Sequence, residues 1–133
     1  MRDLDPVITH QNMLIRNITR DTVIAGQAEV ANTVLRRTRG LMLRRFEGFD
    51  GLLIRPANAI HMCFMLMPID VIFFDKRLLI ARIVPKLAPW RLFCGSLGAV
   101  GVVELPEGAI VRSQSQPGDQ LELVESGAGT RNG

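Results

Sequence analysis

The chain has 133 residues, a length that fits one domain rather than two and that can hold a hydrophobic core without disulfides or metals. Its hydrophobic fraction of 47% is ordinary for a globular protein, and its net charge of +3 is only mildly basic. The longest apolar stretch, Ile60 to Phe74, contains His61, Pro68 and Asp70, so it is too short and too polar to cross a membrane. The N-terminus lacks an apolar leader, so we expect a soluble, cytoplasmic protein. We also expect it to be a monomer.

The first part of the chain alternates short β-prone runs with polar turns. Residues 1–11 are mixed and polar and are predicted to form a flexible arm before a single β-rich domain at 12–125. Met13–Ile18 and Thr22–Ala25 are separated by three polar residues, which predicts a hairpin. Apolar residues recur at helical spacing within 33–43 and predict a short helix there.

The rest of the chain is predicted to form strands joined by tight turns. The expected strands are Leu52–Ile54, Ile60–Met65, Ile69–Phe74, Leu78–Val84, Ala99–Leu105 and Leu121–Val124. Ala109–Ser115 could form a helical turn, and the Gly-rich segment 126–133 is predicted to be a disordered tail. Connections of about three residues require antiparallel hairpins, because a parallel crossover needs about a dozen residues or more. The predicted fold is therefore mainly β, a compact antiparallel β sandwich or open barrel with one short helix near residues 33–43.

The two cysteines, Cys63 and Cys94, both lie in apolar surroundings. A free cysteine in such surroundings behaves as a small hydrophobic residue, and two cysteines do not resemble the disulfide framework of a secreted domain. His10 and His61 add no spacing typical of a zinc site. We predict two free, buried thiols, no metal site and no cofactor.

Six short sequence motifs occur along the chain in an order that is typical of one protein family. They are Arg37-Thr38-Arg39-Gly40-Leu41-Met42, Gly51-Leu52-Leu53-Ile54, His61-Met62-Cys63-Phe64-Met65, Pro68-Ile69-Asp70-Val71-Ile72-Phe73-Phe74-Asp75, Val103-Glu104-Leu105-Pro106-Glu107-Gly108 and Pro117-Gly118-Asp119. With this set, over about residues 28–124, the chain resembles domain of unknown function 192, a family of uncharacterised bacterial and archaeal proteins. The resemblance implies a β-rich sandwich or open barrel with a short helix near its start, and no established activity. Many members are exported or lipid-anchored, and many carry a basic or amide residue where this chain has Leu66-Met67.

Two ionisable residues, His61 and Asp70, occur in apolar strands. His61 would either hydrogen-bond within the domain or line a pocket. Asp70 could approach it across a hairpin turned at Met67-Pro68. A carboxylate orients an imidazole in catalytic sites and in buried structural pairs alike, so both interpretations stay open.

Glu104 stands in a valine-rich strand, where a carboxylate needs a partner. The structural interpretation is an ion pair with Arg37 or Arg39, and the functional one is general acid–base chemistry. Five arginines in the segment 36–45 could form an anion site or a solvated helix face. No aromatic residues are interleaved there to stack bases, so nucleic acid is not the expected partner.

Trp90 lies beside Arg91 in a predicted loop whose prolines, Pro85 and Pro89, both precede it. Its ring could plug the end of the sandwich or present an apolar contact to a partner. Asp119, after Gly118, is predicted to be a turn residue that accepts hydrogen bonds from backbone amides.

Two functions remain open at this point. One is a binding or accessory module for an unidentified protein or small-molecule ligand, and the other is a small hydrolase-like enzyme with a cleft. The candidate binding residues are Arg37, Arg39, His61 and Trp90. The candidate catalytic residues are His61, Asp70 and Glu104. The module is preferred because no nucleophile completes a catalytic set; a cleft holding two of the candidates would favour the enzyme, and an exposed apolar patch around Trp90 would favour the module.

Overall fold

The structure, a computed structural model, describes residues 12–31, 45–62, 65–91 and 93–125. The helix predicted at 33–43, the candidate residues Arg37 and Arg39, and Cys63 lie outside these ranges. The predicted arm at 1–11 and tail at 126–133 lie outside them as well.

The described residues form short strands and one short helix. The strands are β1 (Asn12–Asn17), β2 (Thr22–Ala31), β3 (Gly51–Ile54), β4 (Ala59–Ile60), β5 (Ile69–Phe74), β6 (Ile80–Leu87), β7 (Cys94–Gly95), β8 (Gly101–Pro106) and β9 (Leu121–Glu125). The helix, α1, spans Ala109–Ser113. This mainly β composition confirms the predicted fold class, and α1 confirms the predicted helical turn after β8.

Seven strands form one curled sheet in the order β6-β5-β8-β3-β2-β1-β9, and β4 pairs with β7 in a separate small sheet. Within the described strands, every neighbouring pair is antiparallel except β2–β3, which is parallel. The antiparallel prediction is therefore right for most of the sheet and wrong for this pair. Residues 32–50 connect β2 to β3, and that length is sufficient for the crossover that parallel strands require.

The curled sheet brings its two edge strands together at one end, which gives a half-barrel. An isolated antiparallel bridge pairs Leu79 with Gln120. Beside it, the amide of Ile80 donates a hydrogen bond to the carbonyl of Asp119 at 2.9 Å. These bonds satisfy backbone groups that an open sheet would leave unpaired at this end.

Successive residues of β5 and β8 point to opposite faces of the sheet, as strand geometry requires. One face, here called the helix face, carries Ile72 and Phe74 and packs against α1. The other, here called the β4–β7 face, carries Val71 and Phe73 and packs against β4, β7 and their flanking loops. Both faces are buried, so β5 lies between two hydrophobic clusters and is inaccessible along its whole length.

Candidate functional site

The structure assigns Asp70 a structural role on the helix face. Its side chain is 1% exposed, and its two oxygens accept hydrogen bonds from three backbone amides. Oδ1 accepts from Lys86 at 3.0 Å, and Oδ2 accepts from Gly108 at 3.1 Å and from Ile110 at 2.8 Å. Because α1 has no side-chain cap of its own at Gly108, Asp70 satisfies the amides at the start of that helix from a neighbouring strand.

β5 does not form the hairpin through which His61 and Asp70 could have approached each other. β4 ends at Ile60 and pairs with β7, with Ile60 opposite Cys94. β5 has β6 on one side and β8 on the other, so it has no edge left for a strand that contains His61. Met62, directly after His61, packs on the β4–β7 face, whereas Asp70 belongs to the helix face. The partly buried His61 has contacts within the fold, but the hydrogen bonds of Asp70 go to backbone amides.

Glu104 is buried on the β4–β7 face, opposite Val71 on one side and Leu52 on the other. Its Oε1 has no hydrogen-bond partner among the described residues, and burial raises the pKa of this carboxyl to about 8. The pairing with Arg37 or Arg39 suggested by the sequence falls outside the part of the chain that the structure describes. Within that part, Glu104 is a carboxyl in an apolar cluster.

These positions give the hydrolase-like alternative no support. Asp70 and Glu104 point to opposite faces of the sheet, and both are buried. The groove described below is lined by neither of them nor by His61. Within the described ranges, no group of three or more histidine, cysteine, aspartate or glutamate side chains could hold a metal ion.

A different part of the molecule carries an open groove of about 490 Å³, beside the small β4–β7 sheet. It is lined by Asn58, Ala59, Arg82, Arg91, Phe93, Cys94, Gly95, Ser96 and Leu97. Cys94 is a free, buried thiol, which confirms that half of the cysteine prediction. Among the described residues that line the groove none is acidic, and two are arginines, one on β6 and one in the loop after Trp90.

Local turns hold the residues around this groove. The amide of Arg91 donates to the carbonyl of Ala88 at 3.1 Å and closes the turn that presents Trp90. A second turn presents Leu97, and the amide of Ser96 donates to the carbonyl of Asn58 at 3.0 Å. These bonds fix the loops on either side of the groove through backbone groups, so the side chains are left free to face solvent.

Three large apolar side chains of these loops are exposed to solvent. Trp90 is 75% exposed, Phe93 is 69% exposed and Leu97 is 97% exposed. Trp90 therefore does not plug the end of the fold, and the alternative of an outward apolar contact fits the structure. We call the set of Arg82, Trp90, Arg91, Phe93 and Leu97 the Trp90 surface.

In the part of the sequence that contains the Trp90 surface, all charged residues are positive. Between Lys76 and Val103 the chain has five cationic residues and no aspartate or glutamate. They are Lys76, Arg77, Arg82, Lys86 and Arg91. The sequence pattern indicated Trp90 as a candidate but not Phe93, Leu97 or Arg82. The run of positive charge is the feature of the sequence from which Arg82 could have been identified.

A buried polar network at the closed end of the half-barrel accounts for Asp119. Its Oδ2 accepts hydrogen bonds from Asn17 Nδ2 at 3.0 Å, from Arg20 Nε at 2.9 Å and from the amide of Gln116 at 3.0 Å. The predicted role as a turn residue that accepts a backbone amide is confirmed. The network also joins the β1–β2 turn to the turn before β9, which makes it a structural element.

Comparison with known proteins supports this architecture. The family model DUF192, described as Uncharacterized ACR, matches residues 15–123. A UPF0127 protein of Thermococcus sibiricus is 35% identical over 115 residues, covering 83% of this chain and 73% of that protein. A UPF0127 protein of Pyrococcus abyssi is 32% identical over 116 residues, covering 84% of this chain and 97% of that protein.

Two crystal structures share the fold. A protein of unknown function from Novosphingobium aromaticivorans has a TM-score of 0.67 and 23% identity, covering 84% of this chain and 83% of that chain. A protein from Sinorhizobium meliloti, provisionally named as a transcription regulator, has a TM-score of 0.73 and 22% identity, covering 86% of this chain and 94% of that chain. At these identities the likeness concerns the fold alone.

No helix in the described part of the chain has the length and apolar character needed to cross a membrane.

The family match covers most of the chain, and it confirms the resemblance found in the ordered sequence strings. The chain belongs to the DUF192 family, whose members are uncharacterised and have no established activity.

Proposed function

We propose that the protein is a binding module whose ligand contacts the Trp90 surface. The observation that carries this proposal is the exposure of Phe93 and Leu97 in the lining of a groove, with exposed Trp90 next in sequence to Arg91 of that lining. Among the described residues that line the groove, two are arginines and none is acidic. Single exposed apolar residues are common, but several large ones beside one groove are typical of an interaction site. Tryptophan and arginine are also enriched among the residues that contribute most to binding.

The positive charge of the groove indicates that its ligand carries negative charge. Arg82 and Arg91 line it, and each guanidinium can donate two parallel hydrogen bonds to a carboxylate or phosphate. An anionic ligand would therefore gain from both residues, whereas a cationic one would be repelled. The ligand is a protein or a small molecule; nucleic acid remains the less favoured partner because the net charge is only +3. A cytoplasmic location is part of the same proposal and is checked by cell fractionation.

The chain offers a direct probe of this site. Trp90 is its single tryptophan and it contains no tyrosine, so tryptophan fluorescence reports on the Trp90 surface alone. We expect citrate, inorganic phosphate or a glutamate-rich peptide to produce a saturable change in emission, and a lysine-rich peptide to produce none. The change should weaken with added salt, because exposed charges are screened over about 8–10 Å at physiological ionic strength.

A matched pair of variants separates the groove from general surface charge. Arg91→Gln removes a groove cation, and Arg77→Gln removes an exposed cation from the β5–β6 turn. Weaker anion binding in R91Q, with wild-type binding in R77Q, supports the proposal. Unchanged emission with every anionic probe would contradict it.

A further inference from the structure

We infer that the ligand of the Trp90 surface is an acidic segment of another protein, with an apolar side chain in the groove and carboxylates on Arg82 and Arg91. This inference rests on the proposed function and narrows it to one class of partner. It follows from the shape of the site, from its charge and from the properties of the nearby sheet edge.

The shape of the site favours a polypeptide over a small molecule. Small-molecule sites are concave and bury most of the ligand surface, about 70–90% of it. Here the groove is open, Leu97 in its lining is 97% exposed, and Trp90, next in sequence to Arg91 of the lining, is 75% exposed. A small molecule confined to the groove would leave the Trp90 ring exposed, since Trp90 is not part of the groove lining. A chain segment that crosses the groove covers the groove and its rim together, and a rim of this kind excludes water from the central contacts.

The charge of the site favours carboxylates. One nitrogen of Arg82, Nη1, donates to the carbonyl of Gly95, which holds the guanidinium against the groove wall. A guanidinium has five donor hydrogens, so Arg82 retains donors for a ligand. Arg91 adds a second cation, and no acidic residue between Lys76 and Val103 competes for either. Acidic side chains at two positions of one segment would match this pair of donors.

A second copy of this chain is the wrong partner for the surface. The most common pairing of identical chains is two-fold and brings the same patch of each chain together. Such a dimer would bring the Arg82 and Arg91 of both copies into one interface, with no acidic residue among the described groove-lining residues to compensate. Like charges facing each other across an interface are strongly unfavourable. The chain's net charge of +3 adds to this repulsion.

Strand addition to the neighbouring sheet edge is also disfavoured. β6 is an edge strand of the curled sheet, but Pro85 within it has no amide hydrogen to donate. Lys86 follows with a φ of 53°, which interrupts the extended backbone. Proline and lysine on an edge strand are features that block pairing with another chain. The acidic segment therefore docks through side chains in the groove rather than as an added strand.

The test uses the full chain and three synthetic peptides of equal length in calorimetric titrations. The first alternates glutamate and glycine around one central leucine, the second replaces each glutamate by glutamine, and the third replaces the leucine by alanine. We expect the first to bind at least about ten-fold more tightly than the second and about five-fold more tightly than the third. Arg91→Gln should weaken its binding about five-fold, and Arg77→Gln should leave it unchanged within about two-fold.

Other partner classes are compared in the same titrations. The inference is overturned if phosphatidylserine vesicles, an oligothymidylate or citrate bind as tightly as the acidic peptide. It is also overturned if sedimentation detects a wild-type dimer that R91Q alters. Citrate that changes Trp90 emission, together with an acidic peptide that binds no better than its glutamine version, refutes the inference and leaves the proposed function standing. If no anionic probe changes the emission, both fail.

Discussion

Asp70 and Glu104 lie on neighbouring strands one register position apart, and their side chains point to opposite faces of the sheet. Asp70 pairs with Leu105, and Val71 pairs with Glu104. The two carboxyl groups therefore belong to different environments. Asp70 accepts three hydrogen bonds from backbone amides, whereas Oε1 of Glu104 has no partner among the described residues. They do not form one catalytic pair, and each has a separate effect on stability.

Asp70→Ala should lower the free energy of unfolding by about 3 kcal/mol, because it leaves one buried and two partly buried backbone amides without their acceptor. The Lys86 amide on β6 and the Ile110 amide in α1 lose their partner together. Urea denaturation of the wild type and the variant measures the effect. Asp21→Asn is the control, because the Asp21 side chain is 89% exposed and pairs with Arg16 at the surface, and because asparagine tolerates its positive φ of 58°. Equal stability of the two variants would refute the structural role of Asp70.

The wild type should become less stable as pH rises because of Glu104, and the Glu104→Gln variant should not. Burial raises the folded-state pKa of this carboxyl to about 8, compared with 4.5 for an ordinary glutamate. Between these values the folded state holds a proton that the unfolded state has released, so the free energy of unfolding falls as pH increases. The loss begins above about pH 4.5 and is complete above about pH 8. Glutamine does not ionise, so the stability of the E104Q variant does not fall in this pH range for this reason.

The measurement compares E104Q with the wild type in urea at several pH values. At about pH 8 we expect the variant to be more stable by on the order of a few kcal/mol, and at about pH 4 we expect no difference. Glu107→Gln is the control, since Glu107 is partly exposed and pairs with Lys86 at 3.5 Å. A stability difference between E104Q and the wild type that is the same at both pH values would contradict the assignment.

Local features of the fold could be predicted from the sequence, and pairings between distant strands could not. The hairpin of β1 and β2 and the turn before β6 follow from polar residues between short β-prone runs. The position of β5 between β6 and β8 depends on β8, which begins 27 residues after β5 ends. No local pattern marks such a pairing. The contact that a hairpin would have allowed between His61 and Asp70 does not form, because the strands on either side of β5 are β6 and β8.

The candidate site shows the same limit. Trp90 could be singled out because a tryptophan that directly follows Pro89 in a predicted loop is unusual for a core residue. Phe93 and Leu97 look like ordinary core residues in sequence, and only the turns that carry them show that they face solvent. The role of Asp70 was also hidden, because its partners are backbone amides of β6 and α1, which have no sequence signature.

Asp119→Asn should destabilise the protein at neutral pH and lose this effect in acid. Burial acts to raise the pKa of Asp119, but hydrogen bonds from Arg20, Asn17 and Gln116, with the charge of Arg20, lower it overall. A lowered folded-state pKa gives stability that is present above the unfolded pKa and is lost as pH falls through the folded one. We expect a cost of about 1–2 kcal/mol near pH 7 by urea denaturation. A difference that persists unchanged in strong acid would show that the charge of Asp119 is irrelevant.

The measurement that tests the central claim most directly is amide chemical-shift mapping of the isotope-labelled protein during titration with the acidic leucine peptide. If the Trp90 surface binds the peptide, the largest shifts will occur at the residues of this surface and of the groove lining, together with the indole signal of Trp90. These residues are Asn58, Ala59, Arg82, Trp90, Arg91 and Phe93–Leu97. These shifts will saturate with one binding curve and diminish in R91Q. Shifts centred elsewhere, or shifts at these positions that are identical for the glutamine peptide, would contradict the account.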